Sequence, residues 1–425
     1  MWSGIARRGR WDTPVLRRTG GRISSVCSAL VAIGLASVGL APGAAAADTQ
    51  SQQWYLSAMK ADEMWKVSTG KGVKVAVVDT GVNADTPSLR GQVIADEASE
   101  AVAYKATEDY QGHGTTMAEL IAGTGSGSGL KGLAPGVKIV PYRIALTGPD
   151  HRTKVKNAPD VASVIRAIAD TDVKIINMSF GVDAEDQEEL EAVKYAHSKG
   201  KLMFAAVGND AEKDSPIGYP AAYPYVVGVA ATDESGKVAK FSEHGNYVDL
   251  AAPGIDMPVW CDETFRSYCD GDGGTSGATA LTSASAALIW SAHPDWTANQ
   301  VLGSLIDTAG RDWAKDDPST YLGYGLIRPR KVLENSDFKP GPPNTDPLAR
   351  ENAAGVVDES GEPVSASTSP DPKPSNDTSG DQTSATGLGA DASDSTTLWV
   401  ALGTVAAVLV IGGGAFAVVR SRRGA

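Results

Sequence analysis

Between residues 48 and 335 the chain alternates short, almost wholly apolar runs with longer amphipathic stretches, and this alternation constrains the fold more than any other feature. Lys74–Asp79 (Lys-Val-Ala-Val-Val-Asp) has the length and β-branched content of a strand. Lys138–Arg143, Val173–Met178, Leu202–Val207 and Val226–Ala231 have the same character. Runs apolar on every residue suit strands covered on both faces, whereas a strand with one wet face alternates apolar and polar positions. Thr115–Ala122, Asp160–Asp170 and Ala184–Ser198 carry helical periodicity between them. The expectation is an α/β body: a three-layer, doubly wound, mostly parallel sheet with helices on both faces. In such sheets the chemistry sits at the carboxyl ends of the strands.

The rest of the 425 residues differs sharply from this body. Residues 1–47 hold six Arg against one Asp, then an apolar run from Val26 to Leu40, then Ala-Pro-Gly and four Ala. That is the pattern of a secretory signal peptide, with cleavage expected near Ala47–Asp48; an uncleaved anchor helix is the other reading. Residues 336–397 are Pro, Ser, Thr, Asp, Gly and Ala with few large apolar side chains, a composition expected to form a disordered stalk. Leu398–Val419 is an uncharged run of transmembrane length, followed at once by Arg420, Arg422 and Arg423. Read by the positive-inside rule, the chain is a single-pass cell-membrane protein with residues 420–425 in the cytoplasm and the body outside. The formal net charge of −13 becomes about −21 on the exported part once both basic ends are set aside. So acidic a surface argues against a nucleic-acid partner, which requires a basic face. Of three cysteines, Cys27 leaves with the signal, and Cys261 and Cys269 remain in an oxidising compartment, which favours a disulfide. A zinc site is the alternative, but two Cys with no His nearby make a poor ligand set.

Three polar residues stand where chemistry is expected. Asp79 ends an apolar strand and precedes Thr80-Gly81; His113 lies in Gly112-His113-Gly114-Thr115 before a helix; Ser276 lies in Gly273-Gly274-Thr275-Ser276-Gly277-Ala278 before an Ala-rich helical stretch. Singly, each has an ordinary reading: a paired buried carboxylate, a turn residue, a helix N-cap. Together, in the order Asp, His, Ser, they resemble the subtilase family of serine proteases. Asn177-Met178-Ser179-Phe180-Gly181, Gly208-Asn209, Tyr219-Pro220-Ala221-Ala222-Tyr223-Pro224, Phe241-Ser242 and Asp249-Leu250-Ala251-Ala252-Pro253-Gly254 extend the likeness over about residues 70–335.

The resemblance implies a subtilisin-like fold and peptide-bond hydrolysis. Ser276 is then the nucleophile, His113 the general base and Asp79 the residue orienting it. Asn209 donates to the oxyanion, and Ser179, Phe180 and Gly181 edge the pocket for the residue before the scissile bond. Asn209 suits a turn after a strand, and Phe180 suits an ordinary core position equally well. His151, His197, His244 and His293 have no nucleophile motif beside them. One departure is Ala280, which stands four residues after the serine where the family usually has Pro.

Residues 48–72 are too few for a separately folded pro-segment. Gln53-Trp54-Tyr55-Leu56 and Met64-Trp65 suit an extension packed on the catalytic domain at 73–335. Signal, short extension, catalytic domain, stalk and membrane helix together resemble a mycosin, a membrane-anchored subtilase of actinobacterial type VII secretion. That likeness implies a protein or peptide substrate and a type VII membrane complex as partners. It also leaves room for a scaffolding role with little proteolysis. No cofactor and no metal site is expected.

Overall fold

The computed structural model describes residues 49–146, 156–213, 218–271 and 273–354. The expected signal peptide, the membrane helix at 398–419, the tail at 420–425, most of the stalk and His151 lie outside the described residues. Among the described residues no helix is long and apolar enough to cross a membrane.

The chain enters through two short helices, α1 (Trp54–Ala58) and α2 (Ala61–Trp65). Strands β1 (Lys74–Asp79), β2 (Lys138–Arg143), β3 (Ile175–Met178), β4 (Leu202–Ala206), β5 (Val226–Thr232) and β6 (Leu250–Pro253) form one sheet in the order β2-β1-β3-β4-β5-β6. Every pairing in it is parallel. Intervening helices are α3 (His113–Ala122), α4 (Val161–Ala169) and α5 (Gln187–Ser198). A two-stranded antiparallel hairpin comes next, β7 (Met257–Trp260) with β8 (Tyr268–Gly271), closed by a disulfide between Cys261 and Cys269. Helices α6 (Thr275–Ala292), α7 (Ala298–Thr308), α8 (Pro329–Leu333) and α9 (Ala349–Ala354) complete the body.

The apolar runs are strands because both their faces are covered. Along β1, Val75 and Val77 belong to one core cluster while Ala76 and Val78 belong to the other, as the two-residue repeat of a strand requires. The first cluster takes in α1–α3 and α6–α8, and the second takes in α4 and α5. Three layers result, sheet between helices. Helix α6 runs beneath the sheet and packs against β1, β3, β4, β5 and β6. It is buried from Gly277 through Trp290, which explains its lack of a polar face. The chain leaves β1 for β2 on one side and later returns to β3 on the other. The carboxyl end of β1, with Asp79, therefore opens onto the crevice where the sheet's winding reverses.

Helix ends obey local rules. Asp160 caps α4 through Ser163 N (2.7 Å), Asp186 caps α5 through Glu188 N (2.7 Å), and Thr297 with Gln300 forms a reciprocal capping box on α7.

The body does not end at residue 335. Residues 336–354, expected as the start of a disordered stalk, lie against it. Leu348 is 2% exposed, and Phe338 packs beside Trp296. Thr297 Oγ1 donates to the Pro343 carbonyl (2.8 Å), the Tyr225 N–H donates to Asn352 Oδ1 (2.8 Å), and Tyr324 is hydrogen-bonded to Glu351. Average composition hides this, because two apolar anchors and a few polar ties suffice to seat a segment whose mean hydropathy is low.

Candidate active site

β1 delivers Asp79 to the crevice fully buried. Its Oδ1 accepts a hydrogen bond from Thr80 N (2.7 Å) and stands 2.7 Å from His113 Nδ1. His113 is the first residue of α3, and 31% of its side chain is exposed. Burial opposes its protonation, but the Asp79 charge and hydrogen bond, with Asp109 further off, outweigh this and raise its pKa above the ordinary histidine value. With Nδ1–H given to the carboxylate, Nε2 is the free basic nitrogen.

The approach of α3 to β1 depends on Gly114. A Cβ there would lie 2.2 Å from the Gly81 carbonyl oxygen and 3.0 Å from the Asp79 Cβ, so any side chain would push the helix and its histidine away. Asp109, which no motif in the sequence singles out, ties the same corner together. Its Oδ1 accepts from Gln111 N (2.9 Å), Gly112 N (2.8 Å) and Thr80 Oγ1 (2.7 Å). Its Oδ2 accepts from Thr115 N and Thr115 Oγ1 (2.8 and 2.7 Å). These bonds satisfy N–H groups that the helix start leaves without internal acceptors. The one signal for it in the chain is an Asp three residues before the Gly-His-Gly turn.

Ser276 is the second residue of α6 and is half-buried. At that position its backbone N–H has no carbonyl one turn back within the helix. In this rotamer its Oγ donates to the Ser179 carbonyl at 2.8 Å rather than to His113. Ser179 in turn donates through Oγ to the Ser276 carbonyl (3.0 Å) and accepts from Asn177 Nδ2 (2.9 Å). The end of β3 is thus bound to the start of α6.

Asn209 stands after β4 on an exposed loop. Its Oδ1 accepts from Thr275 N (2.9 Å) and Thr275 Oγ1 (3.0 Å), which turns Nδ2 outward as a donor. The Cβ position that Gly274 lacks is 3.6 Å from Asn209 Nδ2 and 3.8 Å from Ser276 N, so both donors border one small empty space. Two fixed donors around one space suit an oxyanion.

Of the expected pocket residues, Ser179 is 2% exposed and Phe180 7%, the latter among the core residues on the α4–α5 side of the sheet. Gly181 is exposed, and the chain then pairs with Gly218–Tyr219 through Val182 N to Tyr219 O and the reverse bond, both 2.8 Å. The ends of β1, β3 and β4 and the starts of α3 and α6 therefore bring Asp79, His113, Ser276, Asn209, Ser179 and Gly181 to one end of the sheet. His197 and His293 stack instead on Tyr225 and Trp296, and His244 packs at a tilt against Tyr321. Cys261 and Cys269 close the hairpin whose Asp262 carbonyl crowds Gly112, the residue before His113. Among the described residues no group of three or more His, Cys, Asp or Glu is arranged to hold a metal ion.

The subtilase family (peptidase S8) matches residues 70–325. The chain is 32% identical over 299 residues to the minor extracellular protease Epr of Bacillus subtilis (strain 168), covering 68% of this chain and 42% of that one. It thus spans less than half the length of that relative. It is 33% identical over 262 residues to subtilisin BL of Lederbergia lenta, covering 61% of this chain and 92% of that protein. Among solved structures, the MycP3 protease from the type VII (ESX-3) secretion system matches with a TM-score of 0.53 and 27% identity, over 67% of this chain and 88% of that one.

Proposed function

The chain belongs to the subtilase family of serine-type endopeptidases, and from that premise we propose that it cleaves peptide bonds through Asp79, His113 and Ser276 as a membrane-anchored, mycosin-like protease outside the cytoplasm. The observation that carries the catalytic part is the buried Asp79 carboxylate held 2.7 Å from His113 Nδ1. A serine hydroxyl is a weak nucleophile at neutral pH and needs such a base.

In the proposed reaction Ser276 Oγ turns from the Ser179 carbonyl toward His113 and gives its proton to Nε2 as it attacks the scissile carbonyl. Asp79 stabilises the imidazolium that forms. The tetrahedral oxyanion takes the hydrogen bonds of Asn209 Nδ2 and Ser276 N–H. His113 then returns the proton to the leaving amine, the C–N bond breaks, and an acyl-Ser276 ester remains. Water, deprotonated by the same histidine, adds to that ester; the bond from the acyl carbon to Ser276 Oγ then breaks, His113 returns the proton to Oγ, and the acid is released. Neither a metal nor a redox step is required.

The mycosin reading draws support from the MycP3 likeness, and the anchoring reading from the uncharged 398–419 segment with its three following Arg. A protein substrate and a type VII membrane complex are the partners it implies. A second reading, a scaffold with little proteolysis, is favoured by one observation: Ser276 Oγ is engaged with Ser179 rather than with His113.

A serine-directed fluorophosphonate probe separates the two. The catalytic reading expects labelling of the wild-type chain and none of Ser276→Ala; an unlabelled wild type, or equal labelling of both, refutes it. Carbonate extraction of membranes tests the anchor, which predicts that full-length chain stays with the lipid and a chain ending at residue 397 is released.

A further inference from the structure

Glu243 is 3% exposed, lies outside the triad, and sits directly behind the loop that carries Asn209. Two hydrogen bonds from this one residue bracket the asparagine. The Glu243 N–H donates to the Gly208 carbonyl at 3.2 Å, and Glu243 Oε1 accepts from Asp210 N at 3.0 Å. Residue 209 is therefore held from behind at both of its chain neighbours. From the front, Thr275 holds the same loop through Asn209 Oδ1 and through Gly208 N to Thr275 Oγ1 (3.3 Å).

The loop is built around the carboxylate. Gly208 has φ +120°, and a Cβ on it would lie 2.2 Å from the Glu243 carboxyl carbon and from Oε2. A glycine is thus required both by the backbone conformation and by the space Glu243 occupies. Burial, with the Asp210 and Asp183 carboxylates nearby, pushes the Glu243 acid up to about 7. A buried carboxyl at that cost is an expensive way to hold a loop, unless the loop's position matters to more than stability.

We propose that Glu243 is a positioning residue for catalysis, which sets the reach of the Asn209 side-chain amide toward the oxyanion by clamping the peptide groups on either side of it. The proposal rests on the serine-protease reading above. Its chemical demand is an acceptor at the length of a Glu side chain, not a charge: a Gln carbonyl oxygen in the same place takes the Asp210 N–H, with its amide nitrogen where Oε2 is buried without a partner among the described residues, a cost the melting curve reads, whereas an Asp falls one methylene short.

The test measures kcat and KM for hydrolysis of a p-nitrophenyl ester, and the rate of fluorophosphonate labelling, in the purified exported chain. The variants are Glu243→Ala, Glu243→Asp, Glu243→Gln, Asn209→Ala and the double variant Asn209→Ala/Glu243→Ala, with melting curves for each. Complete loss of an oxyanion donor costs on the order of 10²–10³ in rate, so loosening one is expected to lower kcat roughly 10- to 100-fold in Glu243→Ala and Glu243→Asp, with KM little changed. Glu243→Gln restores most of that turnover. In the Asn209→Ala background, adding Glu243→Ala lowers kcat less than about 3-fold, since the two act through one donor.

Wild-type kcat in Glu243→Ala overturns the proposal, as does a Gln variant as impaired as Ala, or a Glu243→Ala effect undiminished in the Asn209→Ala background. If Glu243→Ala does not fold, the contrast of Asp with Gln decides. Wild-type chain that the probe does not label overturns the underlying protease reading as well. A labelled wild type with indifferent Glu243 variants overturns this inference alone.

Discussion

Replacing Asp79 with asparagine changes almost no volume and removes one charge. Oδ1 accepts from Thr80 N and faces His113 Nδ1, while Oδ2 is buried without a partner among the described residues. An asparagine oxygen in the Oδ1 place keeps those bonds but puts the amide nitrogen at the buried Oδ2 position, an unmade donor costing about 1–3 kcal/mol. Flipped, its nitrogen meets the Thr80 N–H, and His113 Nδ1 becomes an acceptor, which moves the imidazole proton to Nε2 and removes the base. Both arrangements also lose the charge that stabilises the imidazolium. The expected fall in kcat is on the order of 10⁴, about 5 kcal/mol of transition-state stabilisation.

A second readout has a definite sign. Burial lowers the His113 pKa and Asp79 raises it, with a net shift upward. Without the carboxylate the burial effect prevails, so the acid limb of kcat/KM, above pH 6.5 in the wild type, moves to lower pH as the ceiling drops. The raised pKa also contributes stability that is full below the unfolded histidine value and lost as pH rises through the folded one. The melting difference between wild type and Asp79→Asn should therefore be larger at about pH 6 than at about pH 8. The assay is ester hydrolysis from about pH 5 to 9 with melting curves alongside. An activity within tenfold of wild type, or an acid limb that moves upward, would refute the reasoning.

Gly114→Ala should abolish activity and cost roughly 1–3 kcal/mol of stability by overpacking against the Gly81 carbonyl; retained activity with an unchanged melting temperature would show that α3 can shift without disturbing His113. Gly274→Ala is the contrasting case: φ is 176°, the nearest atoms are at ordinary contact distance, and the methyl borders the space shared by Asn209 Nδ2 and Ser276 N, so kcat should fall while the melting temperature holds. Ending the body at residue 335 should lower its melting temperature relative to a chain ending at 354, because burial of Leu348 alone is worth about 1.5–3 kcal/mol. Glu119, buried between Thr86 and Tyr268, has its pKa pushed up to about 7 mainly by burial. Its contribution is full below pH 4.5 and lost as pH rises through about 7, so Glu119→Gln should flatten the decline of melting temperature across that window.

The strands legible in the chain are those buried on both faces. β1 and β2 fall on the expected residues, because a continuous apolar run leaves no other choice of boundary. β3 begins two residues later than expected, since Val173 and Lys174 serve as its approach. β6, four residues of Leu-Ala-Ala-Pro, carries too little β-forming content to stand out, and the β7–β8 hairpin is made by its pairing and disulfide rather than by periodicity. Asp79, His113, Ser276 and Asn209 are legible because short motifs surround them. Asp109, Thr275 and Glu243 are not, because what matters in each is a contact made across the fold: Glu243 meets Gly208 and Asp210 over more than thirty positions of chain. The described residues 336–354 escape a composition argument for the same reason, as two anchors are invisible to an average.

The burial of α6 beneath the sheet has a consequence in time. The helix that carries Ser276 also forms much of the cover for one face of β1 and β3–β6. During synthesis the chain presents Asp79, His113 and Asn209 early and Ser276 late. Until α6 is in place, much of one face of the sheet is uncovered and Ser276 is not beside His113. The proposed nucleophile therefore sits on the same helix that closes this part of the core, so in the proposed reaction a copy lacking that packing also lacks a paired serine.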